Sequence, residues 1–233
     1  LGNAISTWKK RARIALRIIS KKFFQVFGTL NILFQPNEKF CIKKGYHHTG
    51  SANDFDDTSN TDEWQQEVYI LAKDLLTEKG FQSVIDIGCG SGYKLIHYFG
   101  SYKTIGIEVG KTYHWLKHNY ARREWLLFDE TNPTTLHTDL IICSDVIEHI
   151  KNPDSLVAFI RGIHSKQIIF STPERNGIAG KKDYGPPENL YHYREWNAQE
   201  FKNYISRYFV IEEQRIFNSR SVTQVIICKN KFL

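Results

Sequence analysis

The sequence predicts an α/β fold: a doubly wound, mostly parallel seven-stranded sheet that ends in an antiparallel edge hairpin and carries an N-terminal helical extension. Three observations carry this. From residue 83 onward, short apolar strand-like runs alternate with helix-like segments. A glycine-rich turn joins the first such run to the helix after it. The last two runs, 209–217 and 222–228, follow one another with no helix between, the pattern of an antiparallel pair.

Taken in order, the chain opens on an amphipathic helix. Ile5, Trp8, Ala12, Ala15, Ile19, Phe23 and Val26 recur at steps of three and four, while Lys9, Arg13, Arg17 and Lys21 fall on another face. Residues 36–60 read as irregular, with Pro36-Asn37, Gly45, Gly50-Ser51 and a polar run from Asn53 to Asn60. Thr61-Asp62-Glu63 opens a second helix that stops at Gly80. Strands are then expected at 83–87, 104–107, 125–128, 140–143 and 167–170, with helices at 93–98, 111–120 and 155–163 between them. The fourth run is apolar throughout, which suits a central strand. A Gly- and Pro-rich loop covers 172–190, and a helix over 198–208 precedes the closing strands.

Composition sets the bounds. Of the 233 residues, 41% are hydrophobic and 24% charged, enough apolar material for a packed core. No run approaches the roughly 18–20 apolar residues needed to cross a bilayer, and no secretory signal is seen, because Lys and Arg break the first apolar stretch. Cys41, Cys89, Cys143 and Cys228 form no CxxC pair, a usage that suits reduced thiols and a cytoplasmic protein. The net charge of +6 is uneven. Residues 1–50 hold ten Lys/Arg against Glu38 alone, whereas the remainder holds 21 basic and 24 acidic residues. The basic character therefore belongs to the arm and not to the body of the protein.

The strongest motif is Val84-Ile85-Asp86-Ile87-Gly88-Cys89-Gly90-Ser91-Gly92, which leaves a strand and enters a helix. Glycines permit a tight turn and let a ligand lie against bare backbone, and the helix start offers N–H groups to an anion. In dinucleotide enzymes that anion is a pyrophosphate and the spacing is G-x-G-x-x-G. Here the spacing is G-x-G-x-G with Asp86 two residues ahead. A carboxylate there would repel a pyrophosphate but accept a hydrogen bond from an amine, so the expected ligand end carries both amine and carboxylate, as the methionine part of S-adenosylmethionine does. About twenty residues on, Gly106-Ile107-Glu108 closes the second strand. An acid at that point can hold both ribose hydroxyls, although a solvated strand end is the plain alternative.

With these motifs the sequence resembles the class I S-adenosylmethionine-dependent methyltransferases, over roughly residues 62–228. Asp139–Ile150 resembles the fourth-strand segment of the branch that methylates small molecules, quinones and sugars (methyltransferase type 11/12-like). Ser171-Thr172-Pro173-Glu174-Arg175 resembles that branch's fifth-strand exit, and 185–196 is similar to a loop of members from bacterial surface-glycan loci. The resemblance divides the chain into a basic helical arm and linker, 1–60, and a methyltransferase domain, 61–233, on a Rossmann-like sheet. It implies transfer of the sulfonium methyl group to an acceptor, with a hydroxyl of a sugar or glycoconjugate as first expectation.

Residue roles follow. Asp86, Gly88, Gly90 and Gly92 are expected to frame the amino-acid end of the cofactor, and Glu108 to hold the ribose. Asp129 matches the family position that meets the adenine amino group, or is an ordinary turn acid. Asp145, at the carboxyl end of a central strand, lines either the cofactor's methionine portion or the acceptor. His149, with a pKa near neutral, is the candidate base for a hydroxyl acceptor, or else it orients the loop through Asn152-Pro153. His192 and Arg194 belong to the loop expected to cover the acceptor; they bind it, or the loop is merely pinned by Tyr191 and Trp196.

Other classes lose support. The N-P-P-[YF] or D-P-P-[YF] stretch of amino-methylating nucleic-acid enzymes is absent after the fourth strand, which reads Ser144-Asp145-Val146-Ile147. A nucleic-acid partner is accordingly not expected. A metal site could be built from Glu148, His149 and His192, but no ligand spacing compels it, and none is expected. Two rival readings stay open: a nicotinamide-dependent oxidoreductase, which shares Glu108 but not the glycine spacing, and a non-catalytic module docking through its basic arm. Residues 5–26 suit packing on the domain, a homodimer contact or a membrane surface.

Overall fold

The computed structural model describes residues 40–50, 57–129, 135–218 and 221–231, and the basic helix expected over 5–26 lies outside them. Seven strands form one sheet in the order β3-β2-β1-β4-β5-β7-β6. They are β1 (Ser83–Ile87), β2 (Lys103–Glu108), β3 (Glu124–Leu127), β4 (His137–Ser144), β5 (His164–Pro173), β6 (Phe209–Phe217) and β7 (Thr223–Asn230). The first five run parallel, and β7 lies antiparallel between β5 and β6. The chain leaves β1 for one side of the sheet and returns to the other with β4, which makes a switch point at their carboxyl ends.

Both faces of the central strands are covered, which is why those strands read as continuous apolar runs. Ile141, Cys143, Ile168, Phe170, Ile226 and Cys228 point to one core, and Leu140, Ile142, Ile169, Val225 and Ile227 to the other. Helix α1 (Gln66–Lys79) lays Val68, Tyr69, Ala72 and Leu76 on the second core. Helices α4 (Pro153–Gly162) and α6 (Ala198–Ser206) close the first. Between these fall α2 (Tyr93–Phe99), α3 (Gly110–Asn119) and α5 (Arg175–Ala179).

Three details differ from the sequence expectation. Helix α1 starts at Gln66 and not at Thr61, because Thr61 donates from its N–H and hydroxyl to the Glu63 carboxylate and Gln65 turns left-handed at φ 66°. Strands β4 and β5 extend well beyond their apolar centres, since their ends are held by backbone pairing through polar residues such as His137 and His164. Helix α5 interrupts the loop after β5, capped by Glu174, whose carboxylate accepts from Gly177 N–H at 2.6 Å.

The expected division places residues 40–50 in the linker. Residues 40–50 are part of the domain: Ile42 and Tyr46 are buried in the first core. His47 N–H donates to the Tyr184 carbonyl at 2.7 Å and Thr49 N–H to the Tyr193 carbonyl at 2.9 Å. The indole of Trp196 donates to the Phe40 carbonyl at 2.8 Å. The polarity of 47–60 hid this because the contacts are backbone bonds to a loop more than 130 residues away.

Candidate active site

A cavity of about 730 Å³ opens at the carboxyl ends of β1, β2 and β4. Gly88, Glu108 and Phe128 line one end of it, and Asp145, Glu148, His149 and His192 line another.

The first end is built by the glycine turn. Gly88 and Gly90 have φ of 71° and 56°, a region that L side chains avoid. A Cβ on Gly88 would run into the Val146 side chain, and one on Gly90 into the Asp57 carboxylate. Gly92, the N-cap of α2, is packed against Trp125 and Leu116. Glu108 accepts from Gly90 N–H at 2.7 Å and from Val109 N–H at 2.9 Å. Burial nevertheless pushes its carboxyl up to about 7, and those two backbone bonds offset only part of the effect.

Asp86 sits beneath the turn and not in the cavity wall. The Tyr69 hydroxyl donates to its Oδ2 at 2.9 Å, whereas its Oδ1 is buried with no partner. Burial raises this carboxyl to about 7 as well, held down in part by Tyr69. Asp57, which sequence reading passed over as part of a polar run, lines the cavity and adds its field to those of Asp86 and Glu108. The turn is thus ringed by three carboxyl groups, suited to a ligand with positive charge and hydroxyl donors. Phe128, also missed, supplies an aromatic wall and meets Phe159 edge to face at 4.8 Å. Asp129 is exposed just beyond it and does not line the cavity.

The other end is built on the exit of β4. Asp145 has φ 51°, unusual for a residue with a Cβ, and is fixed by Ser171. The Ser171 hydroxyl donates to Asp145 Oδ1 at 2.7 Å, and Asp145 N–H donates to the Ser171 carbonyl at 3.1 Å. A 3₁₀ turn, Ile147–His149, then brings Glu148 and His149 toward the loop after β5. His149 Nδ1 lies 2.9 Å from the Tyr191 carbonyl, and the His149 and His192 rings meet edge to face at 4.7 Å. His192 Nδ1 lies 2.8 Å from Glu195 Oε1 and its Nε2 2.9 Å from the Asn189 side-chain amide.

Two expectations are corrected here. Burial, reinforced by His192, lowers the His149 pKa to about 4, so the ring is neutral at pH 7 and a weaker base than a near-neutral histidine. Arg194 does not reach the cavity. Its guanidinium donates to the Ile150 and Lys151 carbonyls at 2.6 Å each and stacks over Phe40, pinning the segment after the 3₁₀ turn. The motif spacing could not show this, because the carbonyls lie more than 40 residues away. Nor did spacing suggest a metal site, yet Glu148, His149 and His192 each offer a ligand atom within 4.8 Å of the other two.

A glycine turn held by the acid that ends β2, at the switch point of a parallel sheet with an inserted antiparallel β7, defines a class I S-adenosylmethionine-dependent methyltransferase. The cavity residues fit that cofactor, since an acidic rim and an aromatic wall stand where a cationic, adenosine-bearing ligand would lie. The chain belongs to the methyltransferase-domain family Methyltransf_23, whose family model matches residues 60–223. No curated protein sequence matches the chain. Among solved structures, it is similar to magnesium protoporphyrin IX methyltransferase from Synechocystis PCC 6803 with bound S-adenosylhomocysteine, at 15% identity and TM-score 0.56, covering 71% of this chain and 83% of that one. The N-methyltransferase NodS from Bradyrhizobium japonicum, in complex with S-adenosylhomocysteine, is similar at 14% identity and TM-score 0.56, covering 75% and 95%. The methyltransferase domain of a bacterial Hen1 is similar at 19% identity and TM-score 0.57, covering 71% and 97%. At these identities the likeness speaks for the fold, and the three structures span different acceptors. The nicotinamide reading is thereby set aside. Among the described residues, no helix is long and apolar enough to cross a membrane.

Proposed function

We propose that this methyltransferase acts on a hydroxyl group of a small, polar acceptor, with sugars and glycoconjugates as the first class to test. The observation that carries this is one continuous cavity joining the glycine turn to a polar cluster roofed by the loop after β5. Asn189, Tyr191 and His192 come from that loop, and Pro186 and Pro187 give it an apolar ceiling. Such a mixed lining suits a sugar, which has hydroxyl edges and apolar faces.

In this reading Glu108 holds the ribose, Gly88 admits the cofactor to the backbone, and Phe128 flanks the adenine. Asp57 and Asp86 add negative charge around the turn, Asp86 from below. Bound S-adenosylmethionine supplies the electrophilic methyl carbon. The chain's own task is alignment of the acceptor oxygen with that carbon and removal of its proton. Asp145 and His149 line the second end of the cavity and orient that oxygen, His149 through the lone pair of its neutral ring.

The test has two parts. Calorimetry on the purified chain is expected to show binding of S-adenosylhomocysteine and none of NAD. Methyl transfer from labelled cofactor is then read against nucleotide sugars, oligosaccharides, free amines and short RNAs. Transfer to amines or RNA with none to any sugar would overturn the acceptor assignment and leave the cofactor assignment standing.

A further inference from the structure

Among the described residues, Glu148 is a buried acid with neither carboxylate oxygen hydrogen-bonded. The Thr172 hydroxyl beside it is in the same state. A carboxylate enclosed in this way is costly unless something positive meets it. The nearby arginine does not: Arg194 is committed to two backbone carbonyls.

The groups that do face Glu148 are metal ligands by type. His149 and His192 each hold one ring nitrogen in the manner of a ligating histidine. The Tyr191 carbonyl lies 2.9 Å from Nδ1 of His149, and the Glu195 carboxylate 2.8 Å from Nδ1 of His192. Both acceptors fix the proton on Nδ1 and leave the lone pair on Nε2, the arrangement that orients histidines around metal ions. One ligand atom from each of Glu148, His149 and His192 lies within 4.8 Å of the other two. Bonds of about 2.0–2.2 Å to a common ion would bring such atoms roughly 3–3.5 Å apart, a contraction that side-chain rotations supply. All three residues line the cavity, so the remaining coordination positions face the acceptor space.

We propose that Glu148, His149 and His192 bind a divalent first-row transition ion, such as Mn²⁺, Co²⁺ or Zn²⁺, which in turn binds the acceptor. Two imidazoles and one carboxylate favour these ions over Mg²⁺ or Ca²⁺, which take oxygen ligands. The inference rests on the proposed hydroxyl acceptor and narrows it to one presenting two neighbouring oxygens, such as a sugar diol, which chelates an ion with open adjacent positions. On the ion, one hydroxyl releases its proton to water. Its oxygen bonds to the methyl carbon as the carbon–sulfur bond breaks, and the electron pair stays on sulfur. His149 is then a ligand, and Asn189, which meets His192 Nε2 at 2.9 Å, yields that nitrogen to the ion.

The experiment titrates the chelator-treated full chain with Mn²⁺, read by loss of the free-ion electron spin resonance signal, and with Co²⁺, read by visible absorption. S-adenosylhomocysteine binding is measured on the same samples. One equivalent is expected to bind, with a Co²⁺ spectrum of mixed nitrogen and oxygen ligation. Glu148→Gln should abolish binding while leaving the melting temperature of the ion-free protein nearly unchanged, because an amide takes the carboxyl's place at the same size. A purely structural Glu148 would give a lower melting temperature. Glu195→Ala should weaken binding about 10–100-fold by releasing His192. Wild-type protein that binds S-adenosylhomocysteine but neither ion overturns the proposal, as does Glu148→Gln protein with undiminished binding. Failure to bind S-adenosylhomocysteine would count against the functional reading instead.

Discussion

The Tyr69 hydroxyl donates a 2.9 Å hydrogen bond to Oδ2 of Asp86, tying helix α1 to strand β1 directly under the glycine turn. Both residues are buried, and neither touches the cavity. The pair therefore governs the turn's electrostatics from beneath.

Removing either partner should show this through pH. The folded-state pKa of Asp86 is raised from 3.8 to about 7. Its contribution to stability is thus fully present below about pH 4 and lost as pH rises through 7. Asp86→Asn is expected to raise the melting temperature at pH 8 and to leave it nearly unchanged at pH 4. Tyr69→Phe should do the reverse, costing about 1–3 kcal/mol at pH 8 and less at low pH, because an ionised carboxylate loses its donor. Thermal unfolding at both pH values decides; equal shifts at the two would refute the assignment.

Cofactor affinity should also follow pH. Glu108, like Asp86, ionises near pH 7, and its ionised form best accepts ribose hydroxyls and attracts a sulfonium. S-adenosylmethionine is expected to bind more tightly at pH 8 than at pH 6. Glu108→Gln should weaken binding by about 1–3 kcal/mol and flatten that profile. Calorimetry at several pH values would expose a flat wild-type profile, which would disconnect these carboxylates from the cofactor.

His149 separates donor from acceptor. His149→Ala is expected to lower turnover by about 10²–10⁴ while cofactor affinity stays nearly intact. The check is kcat at saturating substrates beside calorimetric binding of S-adenosylhomocysteine. Unchanged turnover would remove His149 from the chemistry.

The basic arm calls for a revised cut. Phe40, Ile42 and Tyr46 pack on the domain, so a shortened chain should begin before Phe40. Sedimentation with anionic and neutral vesicles then compares full and shortened chains. Salt-sensitive binding to anionic vesicles that vanishes on shortening is the outcome expected of membrane contact. Loss of a dimer on shortening, without vesicle binding, would assign residues 5–26 to packing between copies.

Much of this protein is legible in its sequence. Strand–helix alternation is a local period, and the seven strands, the Gly88–Gly92 turn and Glu108 at the end of β2 all follow from residues near one another in the chain. The closing antiparallel pair was visible for the same reason. Only the tertiary structure could decide what depends on distant partners. Asp86 was read as a ligand-binding group, but Tyr69 of α1 holds it below the turn. Arg194 had the chemistry of an acceptor contact, and two backbone carbonyls some forty residues earlier claim it. Residues 40–50 looked like linker until the loop after β5 supplied their hydrogen bonds. Glu148 and His149 are adjacent in sequence, yet His192 joins them only because that loop folds back over the end of β4, since ligand sets assemble by proximity in space and leave no period along the chain.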